Sequence, residues 1–266
     1  MDETPSIPPV ILTLSGHDPV GGAGIQADIE AIVSQGCHPT SIITCLTVQD
    51  TCNVKRVMPI ADYLLLQQAE ALQSDIPIAA IKVGLLGSVD VVLAVEHIIQ
   101  QFPNVPVILD PILAAGGGAA LSNTDLINAI CEHLLPLTTL VTPNLPELQR
   151  LAPKCVDTDE QALCLLAQGA AYVLVTGTHG DTQKVENVLY GDGKRLRTWS
   201  WERLPETYHG SGCTLAATCA ANLAKGQDIA TAVGTAQAYT WGSLQAGRKV
   251  GHCQWLPNRL YWANAC

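Results

Sequence analysis

Residues 10–35 read VILTLSGHDPVGGAGIQADIEAIVSQ, a strand pattern, a glycine turn and a helix pattern in direct succession. Val10–Leu14 is a short apolar run rich in branched side chains, which is typical of a buried strand. After the glycines, Gly24–Gln35 repeats Ile25, Ile29 and Ile32 at the spacing of one helix face. This order predicts the first β-α unit of an α/β fold.

The same alternation continues along the chain. The predicted strands are Val10–Leu14, Ser41–Thr47, Ala80–Val83, Val107–Leu109, Leu140–Thr142, Tyr172–Thr176, Lys184–Tyr190 and Arg195–Trp201. The predicted helices are Gly24–Gln35, Ala61–Gln73, Val89–Gln101, Thr124–Cys131, Glu160–Ala167, Gly212–Ala224 and Ile229–Ala246. This pattern predicts a mostly parallel central sheet with helices on both faces. The Gly-Asp-Gly turn at 191–193 predicts an antiparallel edge, and no linker divides residues 1–266, which favours one domain.

Composition excludes several classes of protein. The 266 residues are 48% hydrophobic and 14% charged, which suffices for one sizeable core. A net charge of -10 argues against a nucleic-acid partner, because that would need a basic surface. No uncharged apolar run reaches membrane-spanning length and Met1–Pro9 has no signal-peptide core, so we expect a cytoplasmic protein without a membrane partner. The ten cysteines form no Cys-x-x-Cys pair, which predicts free, mostly buried thiols.

Polar side chains follow two of the predicted parallel strands. Asp110 comes directly after Val107–Leu109, and Asn144 and Glu147 follow Leu140–Thr142. Ligands of open α/β sheets bind beyond the carboxyl ends of the strands, where two carboxylates would suit Mg²⁺. The alternatives are a solvated Glu147 and a helix cap at Asn144, and for Asn144 alone the cap is the favoured interpretation.

The segment from Gly210 to Thr214, GSGCT, precedes an alanine-rich helix. A helix N-terminus concentrates unpaired N–H groups and partial positive charge, so this segment predicts an anion site. The same field is expected to lower the pKa of the Cys213 thiol. The alternative is a glycine-rich helix start that contains a small buried cysteine.

Three further features are weaker when taken alone. The glycines of Ser15–Gly24 allow a ligand to approach the backbone, although they match neither a Walker A loop nor a dinucleotide fingerprint and plain turn chemistry explains them equally well. Gln49 could read the edge of a heterocycle. A metal site from His17, His179 and His209 is less favoured than three loop histidines, because no short ligand spacing is present.

Seven segments together resemble the hydroxymethylpyrimidine/phosphomethylpyrimidine kinase family, the thiamine-pathway kinases of the ribokinase-like superfamily. In family order they are Ser15–Asp28, Leu46–Thr51, Lys82–Leu86, Leu109–Ile112, Leu134–Pro136, Val141–Glu147 and His209–Leu215. The resemblance runs from Ile11 to about Ala246 and implies a ribokinase-like three-layer sandwich. It also implies ATP- and Mg²⁺-dependent phosphorylation of the hydroxymethyl group of 4-amino-5-hydroxymethyl-2-methylpyrimidine, then of its monophosphate, by a homodimer.

The resemblance implies a role for each matching residue. The pyrimidine would contact Gly16, Asp28, Gln49, Leu85 and Ile112. Mg²⁺ and its waters would be held by Asp110 and Glu147. The anion hole would be built by the N–H groups of Gly210, Ser211 and Gly212, with Cys213 as the candidate base. The nucleotide side would be lined by Asn144, Thr176, Gly177 and Gln237.

The chain departs from the family pattern where relatives carry cations. Thr176 and Gln237 stand in place of lysines, and the loop Ala114–Gly118 has no cation. Fewer cations would weaken the grip on phosphates, which leaves open a non-catalytic pyrimidine-binding protein. A pyridoxal-type kinase on the same fold is the other alternative. The tail Trp255–Trp262 falls outside the family core and could pack on the domain or on a second subunit.

Overall fold

The computed structural model describes residues 7–118, 121–180 and 182–264, and joins the strands of these ranges into one nine-stranded sheet. The strands are β1 (Val10–His17), β2 (His38–Gln49), β3 (Val54–Pro59), β4 (Ile78–Val83), β5 (Val107–Leu109), β6 (Leu140–Val141), β7 (Tyr172–Thr176), β8 (Lys184–Gly191) and β9 (Lys194–Glu202). Their spatial order is β3-β2-β1-β4-β5-β6-β7-β8-β9. The pairs β2-β1, β1-β4, β4-β5, β5-β6 and β6-β7 are parallel. The pairs β3-β2, β7-β8 and β8-β9 are antiparallel. The single domain over residues 1–266 stays a prediction.

Helices cover both faces of this sheet. They are α1 (Gly24–Ser34), α2 (Asp62–Gln73), α3 (Val89–Gln100), α4 (Thr124–Ala129), α5 (Leu145–Leu151), α6 (Thr158–Ala167), α7 (Ser211–Ala224) and α8 (Ile229–Gln245). Neighbouring strand residues point to opposite faces, so Ile108 packs in the core beneath α1, α7 and α8, while Leu109 packs in the core beneath α2–α6. The result is the three-layer arrangement that the alternating sequence pattern predicts.

One strand and one α-helix were not predicted, and β1, β2 and β4 are longer than expected. The structure adds β3 along the exposed side of β2, and it adds α5 directly after β6. It also extends β2 to Gln49, which is therefore the last residue of the strand and not a loop residue. The antiparallel edge of β8 and β9 is confirmed.

The tail folds back onto the domain, and this corrects the expectation for two cysteines. Cys52 and Cys253 form a disulfide although 201 positions separate them. The prediction of free buried thiols holds for Cys37, Cys45, Cys213 and Cys219, whereas Cys266 lies outside the described residues. Within the described ranges, the structure contains no helix with the length and apolar character needed to cross a membrane.

Candidate active site

The end of β1 and the loop that follows it are shaped by a glycine and by one carboxylate. A side chain at Gly16 would collide with Cys45, whose sulfur lies 2.9 Å from the ideal Cβ position. The Asp18 carboxylate accepts from two amides of its own loop, both at 2.8 Å, and pairs with His209 Nε2 at 2.9 Å. Burial alone would raise the pKa of Asp18, but His209 and these amides hold the pKa below its usual value. The loop is therefore tied to the segment that begins α7.

The N-terminus of α7 opens onto the same space. Gly210 is its N-cap with a φ of 87°, and a Cβ there would collide with the carbonyl oxygen of Gly22, so this crossing requires glycine. The first N–H groups of the helix, beginning with Ser211 and Gly212, have no intrahelical partner and form the positive end of the helix dipole. An anion can therefore bind at this point without a lysine.

Two carboxylates, Asp110 and Glu147, line the cavity onto which this helix start opens, and Asp110 lies next to it. A Cβ on Gly212 would lie 3.6 Å from both carboxylate oxygens of Asp110, and Asp110 Oδ2 is buried without a hydrogen-bond partner. Burial raises the pKa of Asp110 to about 6, although the Lys82 ammonium opposes the rise. Burial, and then repulsion from Asp110, raise the pKa of Glu147 to about 8.

Asn144 fixes the position of Glu147. Its side-chain oxygen accepts from the Glu147 amide at 3.0 Å, and Glu147 Oε2 accepts from the Asn144 amide at 2.9 Å, which is a capping box at the start of α5. The favoured interpretation of Asn144 as a helix cap is confirmed. The alternative of a solvated Glu147 is wrong, because this side chain is buried.

The donor set at this position fits Mg²⁺. A partnerless carboxylate oxygen on Asp110 and a second carboxyl with a raised pKa on Glu147 would each be stabilised by a cation. Magnesium commonly takes one or two carboxylates and completes its shell with water and substrate phosphates. Among the residues that the structure describes, no group of three or more His, Cys, Asp and Glu side chains could hold a metal by itself. The histidine trio is therefore not a metal site within the described ranges.

Cys213 lies in the first turn of α7, beside Asp110. Burial raises the pKa of its thiol to about 12, and this outweighs the lowering by Lys82. The prediction that the helix N-terminus would lower this pKa is wrong, because the sulfur is desolvated and has two carboxylates, Asp110 and Asp28, nearby. In the free protein Cys213 is a neutral thiol on the cavity wall.

Asp28 requires a correction. The structure places its carboxylate out of reach of a ligand, fully buried in an ion pair with Lys82 Nζ at 2.9 Å. Lys82 also donates to Ser15 Oγ at 3.1 Å. Burial alone would lower the pKa of Lys82. Asp28 and other nearby anionic groups raise it by more than burial lowers it, so the pKa lies above its usual value and the ammonium is retained. Sequence reasoning missed this role of Lys82, although a lone lysine inside the apolar strand β4 was a usable signal.

The far end of the cavity is built around a fixed amide. Gln237 Oε1 accepts from Asn187 Nδ2 at 2.8 Å and from Trp201 Nε1 at 2.9 Å. These two donors fix the orientation of the amide and leave Gln237 Nε2 as a buried donor without a partner. Asn187 in turn accepts from the Gly177 amide at 3.0 Å, so Gly177 lies behind the cavity wall and supports it, which corrects the prediction that it lines the nucleotide side.

One cavity of about 570 Å³ joins these parts. It brings together most of the predicted residues, namely Gly16, Gln49, Leu85, Asp110, Ile112, Asn144, Glu147, Thr176, Gly210, Ser211, Gly212, Cys213 and Gln237. It also brings in residues that sequence reasoning missed, namely Trp201, Arg203, Tyr208, Trp241 and Gln254. Trp201 and Trp241 stack with their ring centroids 6.2 Å apart. Their rarity in a chain with 5% aromatic residues was the signal that could have drawn attention to them.

The sequence matches the phosphomethylpyrimidine kinase family over residues 18–258. This chain belongs to the phosphomethylpyrimidine kinase family. It is 34% identical over 261 residues to the hydroxymethylpyrimidine/phosphomethylpyrimidine kinase of Haemophilus influenzae, and the alignment covers 95% of this chain and 96% of that relative.

Solved structures of similar proteins share the ribokinase-like fold. An ADP complex of Bacillus subtilis pyridoxal kinase superimposes with a TM-score of 0.88 at 26% identity, over 97% of this family member and 99% of that chain. A phosphomethylpyrimidine kinase from Clostridium difficile superimposes with a TM-score of 0.77 at 28% identity, over 89% and 99% of the two chains. The ribokinase-like prediction for this family member is confirmed.

Proposed function

We propose that this protein transfers the γ-phosphoryl group of ATP to the hydroxymethyl group of 4-amino-5-hydroxymethyl-2-methylpyrimidine, and then to the resulting monophosphate, in thiamine biosynthesis or salvage. The observation that carries the proposal is the start of α7, which lies next to Asp110 and shares one cavity with the Asp110 and Glu147 carboxylates. Phosphoryl transfer depends mainly on positioning and charge stabilisation, and this arrangement supplies both.

The pyrimidine end lies between β1, β2 and the loops after β4 and β5. Gln49 offers a donor and an acceptor to the edge of a heterocycle, while Leu85 and Ile112 offer apolar contact to the two ring faces. Gly16 allows Cys45 and Leu85 to pack against the β1 backbone at this end of the cavity, because any side chain at Gly16 would collide with both. The hydroxymethyl arm would then point towards Cys213 and the helix start.

The phosphoryl group would be received by the N–H groups of Gly210, Ser211 and Gly212. These donors are fixed before the reaction, so they stabilise charge that develops on the phosphoryl oxygens without reorganising. Asp110 and Glu147 would hold Mg²⁺ and its waters. When bound, the ion neutralises charge on the phosphate oxygens.

Cys213 is the candidate acceptor of the proton that leaves the substrate hydroxyl. With a pKa of about 12 the thiol carries its own proton, so it can accept the hydroxyl proton only while its own proton passes to an oxygen of the transferred phosphoryl group. This relay must take place late, once the phosphoryl group is bonding to the hydroxyl oxygen. A late proton transfer fits a loose transition state, because the attacking oxygen gains acidity only as the new bond forms.

The nucleotide would occupy the end of the cavity near Asn144, Thr176 and Gln237. The free Nε2 donor of Gln237 is directed by Asn187 and Trp201, so it can recognise an acceptor on the nucleotide without carrying a charge. A neutral donor at this point replaces the lysine of the family pattern.

The test is mass spectrometry of the products from purified protein, Mg·ATP and the pyrimidine alcohol. We expect the monophosphate first and the diphosphate later. Calorimetric binding of the pyrimidine without ATP consumption would instead support the non-catalytic alternative, and neither binding nor turnover by folded protein would contradict the proposal.

A pyridoxal-type kinase is the second candidate. The specific observation in its favour is the TM-score of 0.88 to Bacillus subtilis pyridoxal kinase, which exceeds the 0.77 to the Clostridium difficile phosphomethylpyrimidine kinase. A side-by-side measurement of kcat/KM with pyridoxal, pyridoxine and the pyrimidine alcohol separates the two. We expect the pyrimidine alcohol to give the highest value.

We also propose a cytoplasmic homodimer that does not bind nucleic acid. Leu46 on β2 lies opposite Met58 on β3, and these residues and Val48 form an exposed apolar group at 41%, 43% and 50% exposure. Burying such a patch in a symmetric contact is favourable. Light scattering of the protein and of Met58→Glu would test it, because we expect a dimer that the new charge dissociates.

A further inference from the structure

Arg259 is a fully buried cation just beyond the residues that match the family, which end at 258. Its guanidinium donates from Nη2 to the carbonyl oxygen of Gly22 and from Nε to Thr214 Oγ1 at 2.9 Å. Its third contact is Nη1 with Glu30 Oε2 at 3.1 Å. One side chain thus joins the glycine loop, α1 and the first turn of α7.

The backbone at Arg259 is fixed as firmly as the side chain. Its carbonyl oxygen accepts from Ser34 Oγ at 2.8 Å and from Tyr239 Oη at 2.6 Å, so α1 and α8 both hold it. The guanidinium does not line the cavity and cannot touch a substrate there. Any effect of Arg259 on the reaction must therefore pass through the groups that it binds.

Those groups lead directly to the anion site. Thr214 Oγ1 accepts from Arg259 and donates to the carbonyl oxygen of Gly210 at 2.8 Å. On the other side, Arg259 holds the carbonyl oxygen of Gly22, against which Gly210 packs so closely that no Cβ fits. A Cβ on Gly210 would also lie 3.0 Å from Arg259 Nη2. Both routes end at the N-cap of α7.

We propose that Arg259 is a positioning residue for phosphoryl transfer: it sets the N–H groups of Gly210, Ser211 and Gly212 through Gly22 and Thr214. The inference rests on the proposed kinase activity. It also places a positive charge directly behind the anion site of a chain that lacks the family lysines at Thr176 and Gln237.

Loss of the Arg259 side chain should lower kcat more than it changes KM. The ring of the pyrimidine and the nucleotide are bound by other residues, so ground-state binding survives the loss of Arg259. The N–H groups act on charge that develops during the reaction, and a small displacement of them weakens only that interaction. We expect Arg259→Ala to lower kcat on the order of 10- to 100-fold with little change in KM for either substrate.

A matched control separates positioning from loss of stability. Leu165→Ala opens a cavity in the core beneath α6, outside the lining of the active-site cavity, and should lower Tm by several degrees while kcat is retained. Low concentrations of guanidinium ion should partly restore kcat in Arg259→Ala and leave Leu165→Ala unchanged. Hydrogen exchange of the peptides over 18–24 and 208–214 should increase in Arg259→Ala only.

Each result decides the question. Retained kcat, equal kcat losses in the two variants without rescue, or unchanged exchange in the two peptides would overturn the proposal. If Arg259→Ala does not fold, Thr214→Val must lower kcat while Thr214→Ser retains it, and equal activity of both overturns the proposal. Absence of turnover by the wild-type protein would instead refute the proposed function, and the exchange measurement still reports on positioning.

Discussion

Glu147 combines two tasks in one side chain, because it closes the capping box of α5 and forms half of the carboxylate pair. Glu147→Gln keeps an oxygen that can accept from the Asn144 amide but removes the charge. We expect kcat to fall on the order of 100-fold and the Mg²⁺ requirement to rise, because one anionic ligand is lost. Steady-state kinetics over a Mg²⁺ titration would measure both. The exposed Glu132, changed to Gln, is the control and should behave as wild type.

The raised pKa of Glu147 predicts opposite pH trends for metal binding and for stability. Mg²⁺ binds the ionised carboxyls, so its affinity should rise as pH increases past about 6 and about 8, the pKa values of Asp110 and Glu147. In the metal-free protein the folded state holds the Glu147 proton more tightly than the unfolded chain, whose pKa is about 4.3. Stability should therefore fall as pH rises from that value to about 8.

Thermal unfolding without metal tests this sign directly. Glu147→Gln should match wild type near the unfolded pKa and exceed it by several degrees at the pH where wild-type Glu147 is forced to ionise. Parallel Tm curves of the two proteins across this range would show that Glu147 does not carry a raised pKa.

Cys213 shows how burial overrides a local electrostatic rule. The helix N-terminus was expected to favour the thiolate, yet desolvation raises the pKa to about 12. We expect Cys213→Ala to lower kcat on the order of 100-fold while the affinity for an ATP analogue, measured by calorimetry, is unchanged. Wild-type Cys213 should also react slowly with iodoacetamide at neutral pH. Rapid alkylation, located by mass spectrometry, would contradict the neutral-thiol assignment.

At the scale of elements, the start of α7 depends on one left-handed residue. Gly210→Ala adds both the cost of a positive φ, roughly 1 kcal/mol, and a collision with Gly22. Gly226, just after the other end of the same helix, has a φ of 80° but free space around it, so Gly226→Ala adds the φ cost alone. We expect kcat to fall on the order of 100-fold in the first variant and to be retained in the second. Equal activities would show that the crossing with Gly22 is dispensable.

Periodicity predicted the central elements well and the peripheral ones poorly. Strands such as β5 and β6 lie between two apolar layers, so their sequences are continuously apolar and easily recognised. The edge strand β3 contains Lys55 and Arg56, exposed charges that hide the strand pattern. Helix α5 is only 7 residues long with a proline in its first turn, so no helical period develops. Both elements were missed because neither contains enough buried residues in sequence for a strand or helix period to be visible.

At the scale of the whole molecule, the site was predictable as a set of strand ends but not as a network. The sheet topology alone brings Asp110 and Glu147 to one rim, because parallel strands share their carboxyl edge. The pairing of Asp28 with Lys82 depends on which face of β4 turns towards α1, and the contact of Arg259 with Gly22 spans 237 positions. No local pattern in the sequence carries such information.

The Cys52–Cys253 disulfide fixes the tail to the hairpin of β2 and β3, and its removal is the sharpest test of the tail's place in the fold. Gln254, directly before the tail, forms part of the cavity wall, and Trp255 of the tail pairs with Tyr208 just before the anion site. Closing a loop of 201 residues restricts the unfolded chain, so Cys253→Ser should lower stability by about 2–4 kcal/mol in urea unfolding. Dithiothreitol should lower wild-type stability to the same level and leave the variant unchanged.

Because Arg259 holds the tail at a second point, the Cys253→Ser variant should keep a slowly exchanging amide at His209, which donates to the Trp255 carbonyl oxygen at 2.9 Å. Loss of that protection would show that the disulfide, and not Arg259, holds the tail against the site.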